Sequence, residues 1–214
     1  PTPYDRESGK SMVFWNLALR ADDQLRQRVA WALSQMYVVG VGDVPEANQE
    51  TEVWAHFYDI FVRNAFGNAK DILAELSRSP LMATYLTFKG SVQYDGDMSY
   101  PDENYAREFM QLFTIGMHEL ENDGSPTGAD TYTSDDVATG ARVWTGFDLA
   151  PPRSNIEHRR EDNYIDDVVV VPHRRDPFPK SDLKGGYVGD GFPLCADLDL
   201  SRGTFEYVGQ DTFD

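Results

Sequence analysis

Two segments of the chain constrain its fold more than any other feature. Residues 101–116 read PDENYAREFMQLFTIG, and residues 132–147 read YTSDDVATGARVWTGF. Each combines a helix-start signal, apolar residues three or four positions apart and a glycine at or near its end. Each segment therefore predicts a capped amphipathic helix, and we expect the two helices to pack together.

In the first segment, Pro101 suits the first helical turn and Gly116 suits the left-handed position after the last turn. At 3.6 residues per turn, four side chains share one apolar face. They are Tyr105, Phe109, Leu112 and Phe113.

The charged residues of this helix fall into two groups. Glu103 and Arg107 are four positions apart on the polar side, which predicts an ordinary ion pair. Glu108 instead lies within or beside the apolar arc, and Asn104 precedes it by one turn. A carboxylate in such a place needs an ion pair, a hydrogen bond or a proton.

The second helix begins with a capping-box pattern. Thr133 suits the N-cap, and Asp136 can bond back to it from three residues later. Arg142 lies at the margin of the apolar stripe, where it could reach Glu108. Such a pair could simply lock two helices together, or it could belong to a functional site. The residues leave both readings open.

The rest of the first 149 residues also has helical periodicity. Helices are predicted over Ser11–Arg20, after Asp22 or Asp23, over Glu50–Ala65, after Asn68 and from Pro80. On the second of these helices five residues are predicted to share one face: Leu25, Val29, Ala32, Leu33 and Met36. The sequence predicts a mainly α protein, an orthogonal bundle of about six to seven helices.

The periodicity fails after residue 149. We therefore predict a helical body over 1–149 and an irregular Gly/Pro-rich extension over 150–214, packed on the body or on another chain. A charged run follows from Glu157 to Asp162. The β-branched run Val168–Val171 predicts one strand of a small hairpin.

Charge and composition exclude several function classes. The formal net charge of −17 disfavours nucleic acid and anionic membranes, which bind basic surfaces. It is compatible with loose binding of a divalent cation. No apolar run is long enough for a membrane span, and no signal peptide is visible. Because the chain starts at Pro1, we expect a processed or partial product.

The usual catalytic and metal-binding motifs do not occur. The chain has no HExxH and no paired cysteines, since Cys195 stands alone. The acidic stretches at 95–97 and 121–124 predict turns, because neither completes a calcium-binding loop. Of the four histidines, His173 is the best functional prospect because Asp176 lies nearby. Metal and cofactor requirements stay undetermined from the residues.

The order and spacing of these motifs resemble the family catalogued as domain of unknown function 1800. Its hallmark is an Asn-Glu-Asn-Tyr-Ala-Arg-Glu helix, followed by a Tyr-Thr-x-x-Asp-Val helix that ends in Thr-Gly-Trp. This chain has Asp102 in place of the first Asn and Phe147 in place of the Trp. The His-Asp loop of the family is matched by four residues: His173, Asp176, Lys180 and Gly185.

The resemblance spans about residues 11–195 and carries no established activity with it. Many members have Trp-His-Asn-His-Phe where this chain has Leu-Ser-Gln-Met-Tyr at 33–37, so a metal site on those histidines cannot form here. The family domain normally continues with further helices, which implies that this chain is a fragment. The resemblance also implies an extracytoplasmic or extracellular location.

Two functions remain in view. The first is a non-catalytic subunit or matrix component of a surface assembly, in which a Glu/Asp/Arg network is a structural clasp and other protein chains are the partners. The second is a hydrolase-like enzyme. Its polar site would draw on eight residues: Glu103, Asn104, Arg107, Glu108, Asp136, Arg142, His173 and Asp176. The missing nucleophile–base pair favours the subunit, and whether the chain is an enzyme stays undecided.

Overall fold

The computed structural model describes residues 8–45, 47, 50–94, 96, 99–152 and 162–188, together with the strands at 205–206 and 212–213. The predicted mainly α fold is confirmed, with seven α-helices in this described part of the chain. His158, Cys195 and the charged run from Glu157 to Glu161 lie outside the described residues, as do Asp95 and Asp97.

The helices begin and end close to the predicted start and stop signals. They are α1 (Gly9–Arg20), α2 (Gln24–Met36), α3 (Thr51–Arg63), α4 (Ala69–Leu76), α5 (Pro80–Tyr85), α6 (Asn104–Glu108) and α7 (Ser134–Val143). The side chain of Asn68 accepts a hydrogen bond from the Lys70 N–H and so caps α4. Pro80 is the first residue of α5, where a missing N–H costs nothing.

Three two-stranded antiparallel sheets occur among the described residues. The pairs are β1 (His118–Leu120) with β2 (Pro126–Asp130), β3 (Phe147–Asp148) with β4 (Val169–Val170), and β5 (Phe205–Glu206) with β6 (Thr212–Phe213). The predicted strand at 168–171 is confirmed as β4, but it pairs with the distant β3 instead of a neighbouring hairpin strand. The predicted turn at 121–124 joins β1 to β2 in a hairpin that the sequence did not predict.

An aromatic core joins α6 and α7 to the middle of the chain. Tyr105 and Phe88 are fully buried, and their ring centroids lie 4.6 Å apart. The Tyr105 ring also meets Trp144 edge-on at 4.7 Å. A Cβ on Gly140 would lie 3.3 Å from the Ala106 Cβ, which is tighter than most Cβ contacts, so the two helices approach closely at this glycine. The predicted packing of the two motif helices is therefore confirmed.

The end of the first motif helix differs from the prediction. α6 begins at Asn104, so Pro101 precedes the helix, and a π-helical turn over Phe109–Phe113 follows it. Because a π turn holds more residues than an α turn, a residue four positions further on stays on the same face, whereas a residue three positions further on is turned away from it. Phe109 and Phe113 therefore pack with Tyr105, whereas Leu112 is 65% exposed. The predicted inward position of Leu112 is wrong.

The apolar face predicted for α2 is largely exposed. Leu25 and Met36 are 71% and 61% exposed, and Ala32 is exposed too. The helix instead buries Gln27 and Ala30. Its contact with α3 is close and polar, because Arg26 donates a hydrogen bond to the Val62 carbonyl and the Tyr58 hydroxyl donates one to the Gln27 carbonyl. Only Leu33 of the predicted set packs against the core cluster.

Candidate functional site

The second motif and the extension meet at a bidentate ion pair. Arg142, in the last turn of α7, donates from Nε to Asp176 Oδ2 at 2.7 Å and from Nη2 to Oδ1 at 3.0 Å. The same guanidinium also reaches the Pro179 carbonyl at 3.1 Å. The Asp176 side chain is only 8% exposed, whereas that of Arg142 is 28% exposed. A forked pair of this kind fixes direction as well as distance.

Lys180 completes the charge balance around Asp176. Its Nζ lies 3.2 Å from Asp176 Oδ1 and donates to the carbonyls of Asp176 and Phe178. Burial alone would raise the pKa of Asp176, but the hydrogen bonds from Arg142 and the charge of Lys180 outweigh it and leave that pKa below its ordinary value. Burial lowers the pKa of Lys180, against the opposing attraction of Asp176. We call Arg142, Asp176 and Lys180 the extension clasp.

Thr145 and Gly146 of the second motif lie next to the clasp and hold its two sides together. The fully buried Thr145 hydroxyl accepts from the Asp176 N–H at 2.8 Å and donates to the Arg142 carbonyl at 2.9 Å. Gly146 has a φ of +78°, and a Cβ there would lie 2.9 Å from the Cβ of Arg175. Glycine is therefore required twice over at this position, for its backbone angle and for the close approach of the extension.

Two neighbouring arginines tie the extension to the end of α7. Arg175 donates from Nη1 to the carbonyls of Val143 and Thr145, at 2.9 and 3.1 Å. A cation at this place satisfies carbonyls that the helix leaves unpaired at its C-terminus. Arg174 forms an ion pair with Asp148 at 2.7 Å. Residues 174–180 of the extension thus lie against the end of α7 and β3.

A second small network supports the start of α6. Asp102 Oδ1 accepts from the Asn104 N–H and from the Thr87 hydroxyl, both at 2.9 Å. The Asp102 N–H donates to the Ser91 hydroxyl, and the Ser91 carbonyl accepts from Gly146. Thr87 holds a φ of +61°, which is rare for a β-branched residue. This network joins the first motif to the second through one serine.

The other predicted site residues do not converge on the clasp. Glu103 pairs with Arg107 at 2.7 Å on the exposed side of α6, as predicted. Asp136 is used by the α7 capping box, where it accepts from the N–H and the hydroxyl of Thr133. Glu108 is half-buried and makes no hydrogen bond or ion pair with a described residue. Arg142 pairs with Asp176 instead of the expected Glu108.

His173 does not pair with Asp176 either. It is exposed in a short 3₁₀ turn over Pro172–Arg174, and its carbonyl accepts a weak bond of 3.4 Å from Gln93. The other described histidines are surface residues. His56 is exposed on α3 as predicted, and His118 lies in β1 with its Nδ1 3.0 Å from Asp130.

This arrangement can hold two segments together but offers little for catalysis. The Asp176 carboxylate already receives Arg142, Lys180 and the Phe178 N–H. A carboxylate so fully bonded is a poor acid or base at neutral pH. Within the described ranges, no group of three His, Cys, Asp or Glu side chains could hold a metal ion. No helix in the described part of the chain combines the length and apolarity that a bilayer span requires.

The family comparison agrees with the motifs. The family model described as "Protein of unknown function (DUF1800)" matches residues 5–191. The chain belongs to the DUF1800 family. No curated protein and no solved structure matches it.

Sequence reasoning missed two residues of this DUF1800 site. Thr145 lies in the Thr-Gly end of the second motif and Arg175 lies between His173 and Asp176, but neither pattern predicted a bonding role for them. A buried hydroxyl after a helix end, followed by glycine, could have indicated a junction with another segment. The partner of such a junction lies 31 residues away along the chain, and no local pattern specifies it.

Proposed function

We propose that this DUF1800 domain is a non-catalytic subunit or matrix component of an extracytoplasmic or surface assembly. The observation that carries the proposal is the use of the motif charges in structural bonds. Arg142 and Asp176 saturate each other, and Asp136 caps α7. The location outside the cytoplasm rests on the family resemblance.

The clasp gives this role a physical basis. Removing one member of a buried pair leaves an uncompensated charge, which costs about 3–5 kcal/mol in comparable sites. The extension would then lose its main attachment to α7, although Arg175 and Arg174 would still hold it near the helix end. The clasp would therefore stabilise the domain surface that binds a partner.

The test is the size of the protein in the extracellular fraction of cells that make it. Sedimentation should give a mass well above that of a single copy of the chain that the cells make. Glu108→Gln should leave both the sedimentation and the melting temperature unchanged. A protein that sediments as a single chain, or that is absent from the extracellular fraction, would contradict the proposal.

A hydrolase-like enzyme has one observation in its favour. Glu108 is half-buried without a described partner, one turn after Asn104. Unpaired carboxylates in such places can serve as acid or base groups. If a folded Glu108→Gln variant lost turnover of a polar substrate while Arg107→Ala kept it, the enzyme would replace the subunit as the better account.

A further inference from the structure

The first two helices present apolar side chains to solvent to an unusual degree. α1 has 12 residues, and none of its side chains is buried. Trp15 is 61% exposed and Leu19 is 75% exposed. An amphipathic helix of a soluble domain normally buries its apolar stripe, and exposed apolar patches mark binding sites.

α2 and the residues after it also expose large apolar side chains. Together with those of α1, these are Met12, Val13, Trp15, Leu19, Leu25, Trp31, Met36 and Val38, each at least 40% exposed. Two cavities connect the helices. Val13, Trp15 and Val38 line one, whereas Trp31 lines the other with Leu17. We call this set of residues, together with Arg20 and Arg28, the α1–α2 face.

A groove gives the α1–α2 face a place for anchoring side chains. The groove has a volume of about 330 Å³ and lies between α1, the end of α2 and α3. Phe14, Phe57 and Phe61 form much of its wall. No motif residue lines the groove. Trp15 and Trp54 line it, and tryptophan is one of the residue types enriched at protein interfaces.

Charge indicates what kind of partner fits. Residues 9–36 contain four basic and two acidic side chains, a net charge of +2 in a chain of −17. Arg20 and Arg28 are exposed and form no ion pair or hydrogen bond with a described residue, whereas Arg26 is engaged with Val62. Arg28 lines the smaller cavity, and Arg20 lies in the last turn of α1. Guanidiniums on the same two helices, without a described partner, complement carboxylates on an incoming surface.

We infer that the α1–α2 face binds an acidic amphipathic helix of another protein chain. Leucine or aromatic residues of that helix enter the groove, and its flanking carboxylates pair with Arg20 and Arg28. The inference rests on the proposed function and adds the chemistry of the partner to it. An identical copy would instead bring the same basic side chains against each other, and an anionic membrane would meet the −17 charge of the whole chain.

The test uses two synthetic helical peptides that share one leucine stripe. One carries glutamates beside the stripe and the other lysines, and binding to the whole chain is measured by fluorescence anisotropy. The acidic peptide should bind about tenfold more tightly at low salt, and Arg20→Glu with Arg28→Glu should reverse the preference. Trp15→Ala with Trp31→Ala should weaken binding by about tenfold or more.

Leu112→Ala is the matched control, because this 65% exposed leucine lies outside the face. It should leave both affinities unchanged. Equal affinities for the two peptides, no binding of either, self-association of the chain through this face, or preferential binding to phosphatidylglycerol vesicles would each overturn the inference. If native sedimentation stays high in the double tryptophan variant, this inference fails while the proposed function stands.

Discussion

Two regions of the helical body differ in how far their aromatic residues are buried. Around α6 and α7, Tyr105 is fully buried and meets Phe88 and Trp144 ring against ring. On α1 and α2, Trp15 and Trp31 are 61% and 48% exposed. Similar residue types thus build a closed core in one region and an open face in the other. The aromatic residues around α6 and α7 have their packing partners within the described chain, whereas the α1–α2 face is the surface to which we assign a partner.

The same contrast applies to charge. Near α7, arginines are engaged with carboxylates and carbonyls of the extension, as Arg142 and Arg175 are. On α1 and α2, Arg20 and Arg28 have no described partner. Both regions pair apolar surface with arginine, but only one of them has its counterpart within the described chain.

The largest expected effect separates the two aromatic groups. Phe88→Ala should lower the free energy of unfolding by about 3–5 kcal/mol, because it empties a fully buried site. Trp15→Ala should change it by about 0.5 kcal/mol or less, because that ring contributes mainly to the surface. Urea unfolding of the isolated chain measures both. Equal losses would show that α1 is part of the core, which would break the comparison.

The clasp should be the next most sensitive feature. Arg142→Ala should cost about 3 kcal/mol, the lower end of the range for a buried pair, because Asp176 loses its main partner but keeps Lys180. Arg107→Ala is the matched control. Its ion pair with Glu103 is about half exposed on both sides and should contribute about 0.5 kcal/mol or less. Thermal melts of both variants decide the matter, and indistinguishable melting temperatures would refute the clasp.

The clasp should also weaken in acid. The folded pKa of Asp176 is below its ordinary value of 3.8, so its contribution is complete above that pH and is lost as pH falls through the folded pKa. The stability gap between wild type and Asp176→Asn should therefore be full at neutral pH and should close below about pH 4. Urea midpoints across this range measure the gap. A gap that is constant down to the lowest pH would contradict the assignment.

The smallest effect concerns one flaw in the closed region. The Tyr164 hydroxyl is buried and has no hydrogen-bond partner in the described part of the chain. Tyr164→Phe should therefore raise stability by about 1 kcal/mol, because an unpaired buried hydroxyl is removed. Tyr105→Phe is the control, since the Tyr105 hydroxyl bonds to Ser77 and burial raises its pKa to about 12. That variant should lose about 1 kcal/mol, and an equal loss in both would refute the distinction.

Local signals predicted the helices well because their causes are local. Asn68, Pro80 and the Thr133–Asp136 box act within one turn, and each marks a helix start in the structure. Periodicity failed where it needed information from elsewhere. The α2 pattern correctly placed Leu25 and Met36 on one side, but the helix packs its other side on α3.

The site was harder to predict than the fold. The residues of the clasp were named from the sequence, but their pairing was not, because Arg142 and Asp176 are 34 positions apart. The π turn over 109–113 likewise changes which residues face inward, and no residue in its sequence, FMQLF, indicates that such a turn will form. Glu108 lies in the α-helical part before this turn, and the arginine expected to pair with it bonds to Asp176 instead.

Hydroxyl-radical footprinting of the tryptophans tests the central contrast most directly. The isolated chain and the native assembly would be labelled in parallel, with the 8% exposed Trp54 as an internal control. We expect Trp15 and Trp31 to react readily in the isolated chain and to be strongly protected in the assembly, while Trp54 stays unreactive in both. Equal labelling of Trp15 and Trp31 in the two samples would contradict the conclusion that the α1–α2 face is covered by a partner.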